Sequence, residues 1–271
     1  MVKNSQLKRF LGPNETEVIA RLTYEKLSIV TVKQFDKLFS FNTNTRKQTI
    51  YRLRKKRLLT PITKGVYFFS PLESGPTGSR INEYLIPPLL FPKGNYYVGY
   101  STMYNYYGFT DQLFQTLYIL NTSRQRERII CGIRFKLIKI SSSRMYGLET
   151  MNIRDVETAV SDRERTLIDL IYFPDPVGGL RNAFDILRSQ IKTKKFDIRK
   201  LVKYTTIFPS ISTRKRIGFV LEQCGVPNTV IVPLKKSIKT TALTTLYGSK
   251  SRKGPINSTW KVILDDTYKS R

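Results

Sequence analysis

Apolar residues recur at helical spacing three times within the first sixty positions. Val18, Ile19, Leu22 and Leu27 form one stripe, which predicts a helix from Glu15 with Asn14 as its cap and Glu17 in its electropositive first turn. Thr31 to Phe39 repeats the pattern over two and a half turns, and Ser40 to Asn42 breaks it with turn-forming residues. A third helix is predicted from about Thr43, with Ile50 and Leu53 on its apolar side. Two β-prone runs follow between Leu58 and Phe69, on either side of a turn at Lys64-Gly65. Three helices and then a hairpin is the sequence layout of a winged helix-turn-helix domain.

Residues 71–79 are rich in Pro, Gly and Ser and read as a linker between a domain at 1–70 and a second at 80–271. In the second domain the pattern predicts a helix over 80–89, a strand over 96–100, and a helix over 101–107 capped by the Ser101 hydroxyl and stopped by Gly108. Strands are predicted at 117–120 and 133–140, separated by a charged turn at 124–128, with another strand at 156–160. Helices are predicted at 162–172, 179–191, 197–205 and 213–224, then a mobile basic segment over 235–255 and a last strand at 259–264. The expected class is α+β, a winged helix-turn-helix domain followed by a mixed α/β domain.

Charge sharpens this picture. The chain of 271 residues carries 47 Lys and Arg against 20 Asp and Glu, a formal charge of +27, which makes a polyanion the expected partner. Seven of those cations fall between Arg46 and Arg57, with no acidic residue among them. At 100° per residue, turning Ile50 and Leu53 to the core puts Thr49 and Arg57 on that side and Asn44, Gln48, Tyr51, Arg52 and Lys55 opposite. Those five, with Thr45, Arg46 and Lys47 in the first turn and Lys64 on the hairpin turn, are the expected contacts to double-stranded operator DNA. Lys and Arg displace counterions from phosphates, whereas Asn44, Gln48 and Arg52 have the groups to discriminate base edges.

No histidine occurs, so histidine-dependent triads and general bases are excluded. Cys131 and Cys224 are far apart and suggest neither zinc nor a disulfide framework; no cofactor and no metal are expected. The residues up to Gly12 hold no apolar stretch of signal-peptide length, and the longest apolar run, Tyr84 to Phe91, is broken by Pro87 and Pro88. A cytoplasmic protein with no membrane partner is expected.

Four further features invite a chemical reading. Asp162-Arg163-Glu164-Arg165 places two carboxylates close together, but at a helix start they serve as cap and dipole partner. Gly248-Ser249 with Asp265-Asp266 resembles a nucleotidyltransferase signature, although adjacent aspartates on a strand point to opposite faces. Nine aromatics between Tyr96 and Tyr118 form either a core or a base-stacking platform. A second basic concentration, Lys194, Lys195, Arg199 and Lys203 with Arg214, Lys215 and Arg216, is a possible second anion-binding surface.

Three blocks in the middle of the chain resemble the AbiEi family of antitoxins, from type IV toxin-antitoxin and abortive-infection systems. Tyr100 to Gln112 is similar to that family's pattern of an aromatic residue and Ser followed, after six intervening residues, by Gly-Leu-Thr-Glu-Gln. Gly132-Ile133-Arg134-Phe135 with the strand to Ile140 is the second block, and Val160 to Leu170 with Pro174 and Gly178-Gly179-Leu180 the third. The family often has histidine just before the glycine of the first block, where this chain has Tyr107. The resemblance implies an antitoxin-type second domain, and an antitoxin without catalytic activity. Its N-terminal domain would repress its own operon while the C-terminal domain counteracts a nucleotidyltransferase-like toxin, directly or functionally. The alternatives are a stand-alone winged-helix regulator with a ligand- or protein-binding second domain, and a magnesium-dependent nuclease or nucleotidyltransferase.

Overall fold

The computed structural model describes residues 11–74, 80–153, 156–249 and 252–264. The chain packs as two units. One comprises the described residues up to Pro92 together with Ile129–Ile133; the other comprises 93–128 and 134–264.

In the first unit, helix α1 (Pro13–Tyr24) begins two residues earlier than the expected start at Glu15. Pro13 is preset for the first helical position, and the Glu15 carboxylate accepts the Gly12 N–H at 3.2 Å, so Gly12 takes the capping place expected of Asn14. A short strand, β1 (Ile29–Thr31), leads directly into α2 (Val32–Leu38). Thr31 and Gln34 cap that helix reciprocally: the Thr31 hydroxyl accepts the Gln34 N–H at 3.1 Å and the Gln34 amide oxygen accepts the Thr31 N–H at 2.9 Å. Helix α3 (Thr43–Lys55) follows, then the hairpin of β2 (Leu59–Thr63) and β3 (Val66–Phe69). The three strands form one antiparallel sheet in the order β1-β3-β2, with Val30 opposite Tyr67 and Thr60 opposite Phe68. Val18, Leu22, Val30, Phe35, Leu53 and Phe69 form the core beneath it.

The linker expected at 71–79 begins with a short helical turn, Leu72–Ser74; residues 75–79 lie outside the described residues. The helix expected over 80–89 shrinks to the turn Glu83–Leu85 and the short α4 (Ile86–Leu90), since Pro87 and Pro88 have no N–H to extend a hydrogen-bonded helix backwards.

A six-stranded mixed sheet, all but residues 129, 130 and 133 of it in the second unit, gives the chain an α+β fold together with the helices. Its strands are β4 (Tyr96–Gly99), β5 (Thr116–Asn121), β6 (Arg126–Ile130), β7 (Ile133–Lys139), β8 (Leu148–Ile153) and β9 (Val156–Ser161), in the order β6-β7-β5-β4-β9-β8. Strand β4 runs antiparallel to β5 and parallel to β9, while β5 and β7 are parallel. The charged turn expected at 124–128 becomes the start of β6. The reversal comes earlier, where the buried Asn121 side chain accepts the N–H groups of Ser123 and Arg124 at 2.9 and 2.6 Å.

Helix α5 (Ser101–Tyr106) follows β4, and α6 (Arg163–Tyr172) follows β9. Helices α7 (Leu180–Thr193), α8 (Ile198–Ile207), α9 (Ile211–Gln223) and α10 (Asn228–Lys236) complete the helical part. Phe184, Leu187, Leu201, Ile217, Phe219 and Trp260 pack with Leu167 and Ile171 into one core. A small sheet, β10 (Thr244–Thr245), β11 (Ile256–Asn257) and β12 (Val262–Ile263), closes the described chain in the order β10-β12-β11. The segment expected to be mobile over 235–255 thus holds the end of α10 and strand β10.

Candidate nucleic-acid interface

Helix α3 starts where the polar break ends. The Asn42 side chain accepts the Thr45 N–H at 2.8 Å, and the Thr49 hydroxyl donates to the Thr45 carbonyl at 2.8 Å, turning that polar side chain inward. Thr49, Ile50 and Leu53 are buried, whereas Asn44, Lys47, Gln48, Tyr51, Arg52 and Lys55 are exposed. The Lys55 ammonium lies 5.6 Å from the centre of the Tyr51 ring, and that ring is 57% exposed, so cation and aromatic face present themselves together. Arg52, Arg54 and Lys55 occupy the last turn, where positive charge suits the helix dipole.

The seven cations of this stretch divide into two sets. Arg46 pairs with Asp36 on α2, and its side chain is only 20% exposed. Lys56 pairs with Glu15 on α1; burial pushes the Glu15 carboxyl up, but the Lys56 ammonium and the Gly12 N–H outweigh it and hold it below its ordinary value. Both bonds tie α3 to its neighbours and withdraw two charges from solvent. Lys47, Arg52, Arg54, Lys55 and Arg57 remain exposed. Helical periodicity puts Arg57 on the core side, but the helix ends at Lys55 and Arg57 turns the chain at φ 60°. With no glycine at that position, the sequence gives no sign of the turn. A shallow cleft of about 390 Å³ lies among Tyr51, Arg54, Lys55, Arg57 and Pro61. Lys64 is exposed on the β2–β3 turn, which Gly65 closes at φ 75°. Thr45 is half-buried by its role in the cap.

The fold itself has a known counterpart. The chain superposes on the crystal structure of the RV2827C protein from Mycobacterium tuberculosis with a TM-score of 0.67, over 95% of this chain and 93% of that one, at 12% sequence identity. No protein-family profile and no curated protein matches the sequence.

The second basic concentration comes apart. Lys194, Lys195, Arg199 and Lys203 are exposed at and beyond the α7–α8 junction. The three consecutive cations of α9 are braces instead. Arg214 donates to the carbonyls of Phe208 at 2.6 Å and Ser237 at 3.2 Å, and Arg216 to those of Thr245 and Leu246 at 3.0 Å. Lys215 is 1% exposed and donates to the Ala242 carbonyl. Burial lowers the pKa of all three. They are held on the carbonyls of Phe208 and of the 237–246 segment, with Lys215 buried and Arg214 and Arg216 half-buried.

The acidic features are equally committed. Asp162 caps α6 through the Arg165 N–H at 2.8 Å, and its other oxygen meets the Lys200 ammonium and the Tyr204 hydroxyl, each at 3.1 Å. Glu164 accepts the Asp197 N–H at 2.9 Å and pairs with Lys200 at 3.0 Å. Lys200 is thereby pushed up: burial works against its charge, and the two carboxylates outweigh it. Among the described residues no group of three or more His, Cys, Asp or Glu side chains is placed to hold a metal ion. Asp265 and Asp266 lie outside the described residues. Of the aromatic run, Tyr96, Tyr97, Tyr100, Tyr104 and Phe109 are buried and Tyr106 is 44% exposed, which makes most of the cluster core. Among the described residues no helix is long and apolar enough to cross a membrane.

Proposed function

We propose that this chain is a DNA-binding antitoxin of a type IV toxin-antitoxin system, cytoplasmic and without catalytic activity. On this reading the first unit is a winged helix-turn-helix, α3 its reading helix and the β2–β3 turn its wing. The observation that carries the DNA half is the outer face of α3, where Asn44, Gln48, Tyr51, Arg52 and Lys55 stand exposed together and Thr49, Ile50 and Leu53 face the core.

That face separates two tasks. Lys47, Lys55 and Lys64 contact phosphates and supply affinity by releasing counterions, while Asn44, Gln48 and Arg52 carry the paired donors and acceptors that distinguish bases in the major groove. The antitoxin half, with self-repression and a nucleotidyltransferase-like toxin as the counterpart, is supported by the likeness of the three sequence blocks to the AbiEi family.

Two experiments test the halves separately. A footprint on the region upstream of the gene should show protection by the parent protein that weakens for Arg52→Ala and Lys55→Ala; unchanged protection at moderate salt contradicts the assigned face. Co-expression with the adjacent reading frame should rescue growth from a toxic neighbour. Failure to rescue, with the footprint intact, leaves a stand-alone regulator.

A further inference from the structure

The sharp turn after β4 belongs to a recess that the DNA-binding reading does not use. Strand β4 ends at Gly99, and Tyr100 reverses the backbone at φ 53°, ψ −137°, a conformation costly for a bulky side chain. The next residue, Ser101, is fully buried, and its hydroxyl has no hydrogen-bond partner. Folded proteins pair nearly all such atoms. Ser101 lines a recess of about 460 Å³ whose walls include Phe114, Tyr118, Lys136, Phe173 and Asp175.

The wall has three kinds of chemistry. Tyr118 and Phe173 meet edge-to-face with their ring centres 5.6 Å apart, and the Tyr100 ring lies 4.7 Å behind Phe173, so the aromatic side is fixed by the core. The Lys136 ammonium stands 5.8 Å from the centre of the Tyr118 ring, and among the described residues it has no ion pair. Asp175 is exposed, likewise without an ion pair among the described residues; the Tyr118 pKa is raised by burial first, then by the carboxylates of Glu127 and Asp175. An apolar ligand would leave both charges and the hydroxyl unanswered. A simple anion would meet Lys136 and ignore the rings and the carboxylate.

We propose that this recess binds a mononucleotide, its base against the aromatic wall, its phosphate on Lys136, and its ribose hydroxyls and polar base edge on Asp175 and Ser101. The volume lies in the range of small-molecule sites; a flat ring, hydroxyls and one anionic group answer the rings, Ser101, Asp175 and Lys136, and Gln112, Gln115 and Thr116 add further polar groups to the lining. The site stands entirely within the second unit and is independent of whether α3 reads DNA.

Calorimetric titration of the full chain with AMP, GMP, CMP and UMP tests it, with inorganic phosphate and the corresponding nucleosides alongside. At least one nucleotide is expected to bind with Kd below about 1 mM. Lys136→Ala and Ser101→Ala should each weaken that binding by about tenfold or more. Ser101→Ala should also keep or raise the thermal midpoint, because it removes a hydroxyl that the unliganded fold leaves unpaired. A single-stranded trinucleotide binding more tightly than the monomer assigns the recess to the end of a strand with the same unit recognised. No nucleotide binding below that limit, phosphate alone binding as tightly as the nucleotide, or parent-like affinity in both variants overturns the proposal.

Discussion

Arg165 and Asp169 are both wholly buried, and the guanidinium is used up on every side: it reaches Asp169 at 3.2 Å, the Arg144 carbonyl at 2.8 Å and the Tyr97 hydroxyl at 3.1 Å. Burial works against its charge, and Asp169 outweighs that and pushes the pKa up. Breaking such a pair from one side strands a charge, so Asp169→Ala is expected to cost about 3–5 kcal/mol in urea denaturation. A loss below about 1 kcal/mol would show that the pair is not structural. Glu15 makes a pH-dependent contribution. Its folded pKa lies below the ordinary 4.5, so its pair with Lys56 stabilises the fold above that value and is lost as pH falls through the lower folded pKa. Glu15→Gln should therefore be less stable than the parent at pH 7, with the gap closing as pH falls below 4.5; a gap that does not narrow on acidification contradicts the assignment. At this scale the sequence was only partly legible. Asp162 reads as a cap and is one, but nothing local shows that Lys200 and Tyr204, some forty residues on, complete its partners.

Among the elements, α3 is the most legible, because its three buried positions fall on one side at helical spacing and Asn42 marks its start. Helix α9 shows where local reasoning fails. Three consecutive cations span about 200° of a helix and cannot all face solvent on a helix packed on several sides, yet which carbonyls they would brace depends on the distant 237–246 segment. The same helix carries Gly218, against which the Trp260 ring packs so closely that an added Cβ would collide with it. Trp260 is fully buried, with its indole N–H on Glu222 at 3.0 Å, and has little room to retreat. Gly218→Ala is expected to destabilise by about 1–3 kcal/mol despite the better helix propensity of alanine. A gain in thermal midpoint would show that the ring can move. Strand β1 escaped notice because three residues give too short a pattern, and β6 because its charged residues read as a turn.

For the molecule as a whole, the α+β class and most of the helices were visible in periodicity, but β1, β6, β8 and α10 were not, nor was the strand order of the large sheet, since parallel pairing of β4 with β9 joins segments separated by about sixty residues. Net charge favours an anionic partner without saying which face would meet it. It is the division of the cations, some spent on internal ion pairs and carbonyls and some left exposed on α3, that turns this into a claim about one face. The most direct test is fluorescence anisotropy of the full chain with its upstream duplex across a salt series, comparing the parent with Lys55→Ala and Lys215→Ala. The expected result is a steep fall of affinity with salt, with a slope reduced by about one unit for Lys55→Ala and unchanged for the buried Lys215→Ala. A parent that ignores duplex DNA at low salt, or a Lys55→Ala slope equal to the parent's, contradicts the account.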